Sequence, residues 1–353
     1  MNASQPHYLK LFAAFIFLML LMVELVCVGL YKLNPASMLD WRYYSSAFDH
    51  TREPNLPYGW SSPDGLPRPV QTQFISTCAR AFGDSFTYGE EVYNAEEVWT
   101  SVASRELGCQ IENYGVGGFG TDQALVLYES TKTNTPIVIL GIYSEMLRRN
   151  LAASWLFYGG QKDRALKPYF KLDHQGNLEQ ISWPKSNSTA DLRDYHRHDI
   201  FFKSYDAKFP YSWHLSKGIY YQLKTRLENK GILFDKHVDA LPLQLALLDA
   251  FKAKAAARGS EMVLVYFPSI AELTDNNLSY SKQMKAYQAK YPHACVIDTG
   301  PALLEATKKG VGVAAQSWHF NSVGNAIVAA EVAKGLKTCQ STKMLIRAET
   351  NTR

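Results

Sequence analysis

The sequence predicts an α/β protein: three α/β/α layers around a five-stranded, mostly parallel sheet, with one apolar helix ahead of them. Two observations carry this reading. Short apolar runs alternate with stretches of helical periodicity, which places helices on both faces of a parallel sheet. Separately, Leu11–Tyr31 is 21 residues of almost unbroken apolar sequence, LFAAFIFLMLLMVELVCVGLY, whose one charge is Glu24.

About 20 apolar residues cross a bilayer core as a helix, so Leu11–Tyr31 is read as an uncleaved anchor. A cleaved signal would have a shorter apolar region and a small-residue cleavage site, and a buried core helix is the third alternative. Lys10 favours a cytoplasmic N-terminus at residues 1–10, although Lys32 flanks the other end. Glu24 is costly in lipid unless it is tolerated near one end of the span or paired with another helix.

Residues 32–73 are rich in Pro, Tyr and Trp and read as a linker that wraps onto the domain at 74–340, with 341–353 as a tail. The expected strands are ARAFGDS, QIENYGV, TPIVILGIY, EMVLVYFPS and ACVIDTG. Helical spacing marks EEVWTSVASREL, TDQALVLYESTK, VDALPLQLALLDAFKAKAAARG and NSVGNAIVAAEVAKGL. Residues 150–235 break this rhythm and are too long for a connection, so they are read as an insertion forming a lid or substrate wall.

Composition narrows the function. Hydrophobic residues at 46% and charged residues at 20% describe a globular chain. The net charge of +4 is scattered without a basic run, which gives a nucleic-acid partner no support. Beyond Cys27 there are Cys78, Cys109, Cys295 and Cys339, an even number suited to an exported domain. Cys78 lies seven residues before Ser85 and Cys109 nine before Gly118, so neighbouring parallel strands would put both near one sheet end. That favours Cys78–Cys109 and leaves Cys295–Cys339. No CxxC spacing points to zinc, and neither a metal nor a cofactor is expected. His196 and His198 in DYHRHD read as a surface loop, without matched acidic spacing.

Three segments carry chemistry. ARAFGDSFTYGEEV puts Ser85 between a strand and a helix, where backbone N–H groups can face an anionic transition state. Taken alone, a serine in such a turn is more often a helix cap. ENYGVGGFGTDQAL ends a second strand in a glycine-rich turn, and SWHFNSVGNAIVAAEVA sets His319 before the last helix. Asp84 is expected to fix the turn by local hydrogen bonds. Arg148 and Arg149 are expected to face solvent, or else a substrate carboxylate.

Taken together, these blocks resemble the SGNH/GDSL hydrolase family, over residues 76–150 and 260–338, which implies its flavodoxin-like fold. The resemblance implies Ser85 as nucleophile and His319 as general base. It also implies an oxyanion hole from the Ser85 N–H and Gly118. Two positions depart from the family pattern. Its third-block asparagine is matched to Ser144 in GIYSEMLRRN, with Glu145 after it, and its aspartate three residues before the histidine is Gln316. Ser144 is the expected third oxyanion donor, through a hydroxyl shorter than the asparagine amide, and losing one such donor costs about a hundredfold in rate or more. Three readings stay open: a Ser–His dyad with Gln316 orienting the ring, a carboxylate from elsewhere such as Glu145 or Asp298, or a degenerate site that only binds.

The expected function is an esterase, deacylase or O-acyltransferase on an acylated carbohydrate or other ester, outside the cytoplasm. A catalytically degenerate glycan-binding or assembly protein is the alternative. Trp155, Tyr169, Trp183 and Trp213 of the insertion would stack on sugar rings or pack against the core.

Overall fold

The computed structural model describes residues 5–33, 56–153 apart from 73 and 133, 166–185, 191, 194–195, 209–216, 219–220 and 240–346 apart from 279–281 and 317. The apolar N-terminal segment forms α1 (Gln5–Leu33). Within it, Tyr8–Leu30 has a mean hydropathy of 2.8 and is long and apolar enough to cross a membrane. Its Leu, Phe and Met side chains are exposed, an apolar surface that water would not tolerate at this size. Glu24 is an exception. It is buried, and its carboxylate accepts hydrogen bonds from the backbone N–H groups of Tyr211 and Ser212 at the start of a helical stretch at 211–216.

The sheet comprises β1 (Thr77–Gly83), β2 (Gln110–Gly115), β3 (Ile137–Ile142), β6 (Glu261–Tyr266) and β7 (Cys295–Asp298), in the order β2-β1-β3-β6-β7. Every neighbouring pair is parallel. The central strand β3, IVILGI, is buried at every residue, as helices on both faces require. Edge strand β2 alternates between buried and half-buried residues.

Helix α2 (Ser85–Tyr88) follows β1 directly, and α3 (Trp99–Leu107) leads into β2. α4 (Thr121–Ser130) follows β2, and the short α5 (Met146–Arg149) follows β3. Later come α6 (Ala240–Ala257), α7 (Ile270–Thr274), α8 (Lys282–Lys290), α9 (Gly300–Lys308) and α10 (Ser322–Thr338). One layer pairs α3 with α10 and α9, and the other pairs α6 with α4 and α8. The chain leaves β1 towards β2 on one side and returns to β3 on the other. This reversal puts a crevice at the carboxyl end of β1, where open α/β sheets bind ligands.

Both expected disulfides are present, Cys78–Cys109 and Cys295–Cys339, each with Cα atoms 5.7 Å apart. Cys78 sits at an irregularity between Thr77 and Ala79 in the β1–β2 register. In the linker, the Arg68 guanidinium is buried and donates to the carbonyls of Tyr88 (2.6 Å), Gly89 (3.1 Å) and Val92 (2.7 Å). The described part of the insertion contains an antiparallel hairpin of β4 (Tyr169–Leu172) and β5 (Leu178–Ile181). Its Lys167 is fully buried in an ion pair with Asp122, and the Tyr195 hydroxyl donates to the Lys167 carbonyl.

Candidate active site

Ser85 is the first residue of α2 and is almost fully buried at the mouth of the crevice. Asp84 caps this helix, accepting from the Phe86 N–H at 3.0 Å. Three glycines permit the tight approach. A Cβ on Gly83 (φ +154°) would meet the Thr87 side chain and the Gly141 carbonyl, and one on Gly141 would meet Thr87 and Phe267. A Cβ on Gly115 would run into the backbone of Thr87 and Tyr88. The turn carrying Ser85 therefore lies against the ends of β2 and β3 with no room for side chains between them.

Beyond β2, the Val116 N–H donates to the Gly83 carbonyl at 3.1 Å, which sets the glycine-rich turn beside the segment that carries Ser85. Gly118 adopts φ +81°. Among the described residues, neither the Gly118 N–H nor the Ser85 N–H has an acceptor inside the protein, which leaves both available to an oxyanion. The Trp60 indole donates to the Gly117 carbonyl at 2.9 Å, so the linker helps fix this turn.

His319 precedes α10 on a loop shaped by two asparagines. Asn321 caps α10 by accepting from the Gly324 N–H, while its amide donates to the Gly312 and Ala314 carbonyls. Asn325 accepts from the Trp99 N–H at 3.1 Å and donates to the Phe320 carbonyl, tying the loop to α3. The imidazole packs against Phe86, the residue after Ser85, with ring centroids 5.3 Å apart. Trp318, one residue earlier, is 71% exposed at the rim.

The Nδ1 atom of His319 is buried and has no hydrogen-bond partner among the described residues, but it lies 3.8 Å from Oε1 of Glu91. Glu91 belongs to the FTYGEEV tail of the first block and has φ +72°. Only two described non-glycine residues have positive φ. Such a backbone costs about 1–3 kcal/mol and persists only when its surroundings enforce it. Here the Glu90 and Gly89 N–H groups both donate to the Ser85 carbonyl, the Val92 N–H donates to Gly89, and Arg68 grips the carbonyls on either side.

The other positions singled out from sequence have different surroundings. Ser144 hydrogen-bonds through its hydroxyl to Glu272, whose carboxyl burial pushes up against the opposing pull of Tyr266, Ser269 and Ser144. Glu145 accepts from the Tyr143 hydroxyl at 2.8 Å and sits 3.9 Å from Arg149. Asp298 accepts from the Gly300 N–H at 2.9 Å, at the start of α9. Gln316 is exposed to solvent. Of the carboxylates among the described residues, Glu91, and not Glu145 or Asp298, is the one that reaches the His319 ring.

Arg149 is not on the surface. It is buried and donates to Asp84 (3.0 Å), the Phe119 carbonyl (2.8 Å) and the Tyr143 hydroxyl (2.6 Å), so it ties together the segments after β1, β2 and β3. Burial pushes the Asp84 carboxyl up, while Arg149, His319 and two backbone N–H groups pull it back down. Sequence reasoning missed Glu91, Arg68 and Asn325. The doubled acid of GEEV was the one available signal.

Among the insertion aromatics, Tyr169 is buried and Trp183 stacks on the buried Tyr195 at 5.8 Å, while Trp213 is 58% exposed. Trp155, His196 and His198 lie outside the described residues. No group of His, Cys, Asp and Glu among the described residues is arranged to hold a metal ion.

No family model matches the chain, and no curated protein matches it. Among solved structures, it is similar to a lipolytic protein of the G-D-S-L family from Desulfitobacterium hafniense, at 15% identity and TM-score 0.37 over 74% of this chain and 100% of that one. It is similar to an acetylxylan esterase from Geobacillus stearothermophilus at 13% identity and TM-score 0.40, covering 74% and 96% of the two chains. A third is an α/β hydrolase from the metagenome of Lake Arreo, at 13% identity and TM-score 0.41 over 76% and 97%.

Proposed function

We propose that this chain is a serine-dependent esterase or acyltransferase of SGNH/GDSL type acting on ester-linked acyl groups. The observation that carries this reading is the meeting of the blocks. Ser85 at the carboxyl end of β1, the Gly118 turn after β2 and His319 before α10 converge on one crevice, although His319 is 234 residues from Ser85 in sequence.

In this reading the Ser85 hydroxyl attacks the acyl carbonyl while His319 takes its proton. The carbonyl oxygen, now anionic, accepts from the Ser85 and Gly118 N–H groups. Collapse expels the substrate alkoxide, which receives the proton from His319, and leaves an acyl-enzyme. Water or a sugar hydroxyl then attacks that ester, with His319 again as base. Hydrolysis and transfer use the same residues and differ in which nucleophile reaches the acyl-enzyme.

An acylated carbohydrate suits the rim, where Trp318 offers an exposed aromatic face next to the base. The two disulfides and the apolar α1 support a domain outside the cytoplasm, tethered to a membrane. Ser144 engaged by Glu272 and Gln316 turned to solvent favour the second reading, a binding protein on the same scaffold.

Fluorophosphonate labelling of the full chain in detergent separates the two. The esterase reading expects covalent labelling, together with acetate release from acetylated oligosaccharides, and both vanish in Ser85→Ala and His319→Ala. A folded protein that binds such glycans yet neither labels nor releases acetate would establish the binding reading instead.

A further inference from the structure

We infer that Glu91 is the carboxylate that orients His319 and stabilises its imidazolium, replacing an acid in the segment before the histidine. This rests on the Ser85–His319 reading above. A catalytic imidazole needs a partner at Nδ1, both to hold the tautomer whose Nε2 can accept the serine proton and to favour the charged ring formed during attack. Position 316 cannot supply one, since it is an uncharged glutamine facing solvent. Glu91 stands where that partner must be, 3.8 Å from a buried Nδ1 that has no hydrogen-bond partner among the described residues. Catalytic hydrogen bonds are often longer before substrate binds and tighten in the complex.

Two further features set Glu91 apart from a chance neighbour. Its side chain and that of His319 are only 24% and 20% exposed, so water screens the pair weakly. Its left-handed backbone is enforced by Arg68, which holds the carbonyls of Tyr88, Gly89 and Val92 around it. A loop that had only to connect α2 to α3 would accept glycine at this position without strain. The linker is thereby part of the site: Arg68 fixes the loop, the loop aims Glu91, and Glu91 aims His319.

Asp84 also interacts electrostatically with His319. Its two carboxylate oxygens are committed to the Phe86 N–H and to Arg149, so its charge is largely matched. Glu91 is the one placed to accept the Nδ1–H. During attack the Ser85 proton moves to Nε2 while Nδ1–H stays shared with Glu91.

The test is the rate of fluorophosphonate labelling in the full chain, for the unsubstituted protein and for Glu91→Gln, Glu91→Gly and Glu91→Asp. Glu91→Gln keeps the shape and removes the charge. Its labelling is expected to slow about 10²- to 10⁴-fold, by analogy with an Asp-to-Asn change in a serine protease triad. Glu91→Gly relieves the backbone and empties the site beside Nδ1, so it should fold at least as well, lose labelling, and regain part of it on addition of formate. Glu91→Asp should fall between. Rates of Glu91→Gln and Glu91→Gly within twofold of the unsubstituted chain, with Ser85→Ala unlabelled, would overturn the role of Glu91 and leave the serine mechanism standing. Absence of Ser85-dependent labelling in the unsubstituted chain would remove both.

Discussion

Two buried ion pairs flank the crevice, and they are built differently. Asp84–Arg149 lies next to Ser85, and Asp122–Lys167 lies at the first turn of α4. Both carboxylates are inaccessible to solvent, and burial pushes both carboxyls up while the cation pulls them back. Arg149 spreads its planar donors over Asp84, the Phe119 carbonyl and the Tyr143 hydroxyl. Lys167 is a point charge whose described partners are Asp122 and the carbonyl of its own neighbour, Pro168. The first pair joins the three loops of the candidate site, after β1, β2 and β3. The second docks the insertion onto the sheet domain. A guanidinium is needed for the first task and an ammonium suffices for the second.

The largest expected effect is at Arg149. Arg149→Met leaves Asp84 buried without its cation, a loss of about 3–5 kcal/mol. Urea unfolding with the disulfides intact measures it, and Ser85 labelling should slow alongside, because the loops after β1, β2 and β3 lose their common tie. Arg149→Lys restores a charge without the three-way geometry and should recover little of either. Full recovery in Arg149→Lys would erase the distinction between the two pairs.

Lys167→Met should cost towards the lower end of the same range, about 3 kcal/mol, since the insertion can lift locally and let water reach Asp122. Replacing both partners, Asp122→Leu with Lys167→Met, removes the buried charges together and should return stability to within about 1 kcal/mol. Labelling of Ser85 by a small fluorophosphonate should be unaffected in the double variant. A large loss there would mean that the insertion shapes the catalytic loops as Arg149 does.

The same contrast explains what the sequence revealed. β1, β3 and β6 are largely apolar runs with local signals, and strand–helix alternation marks the sheet they form as parallel. The turn at Ser85 was legible because its glycines and Asp84 act within a few residues of it. Glu91 was not, although it sits in the same block, because its meaning depends on a left-handed backbone and on a histidine 228 positions away. Spacing alone pointed to Gln316, but the loop closes by an Ala315 N–H to His319 carbonyl bond that leaves residue 316 in solvent. Arg149 followed a strand with a second arginine beside it and read as surface, because its three acceptors come from three separate segments.

The smallest effect tests how α1 meets the insertion. Glu24 accepts from the Tyr211 and Ser212 N–H groups, so it plays the part of an N-terminal cap supplied from another helix. Removing a capping acceptor costs about 0.5–2 kcal/mol. In Glu24→Ala, hydrogen exchange at the Tyr211 and Ser212 amides should accelerate about tenfold, while the unfolding of the α/β domain stays unchanged. The two readouts diverge only if this contact is a local docking and not part of the core. Unchanged exchange would mean that 211–216 is held in place by its own packing, and the acid would then have no structural return for being placed in an apolar helix. Coupled loss of domain stability would mean the reverse, that α1 is a structural part of the fold and more than a tether for it.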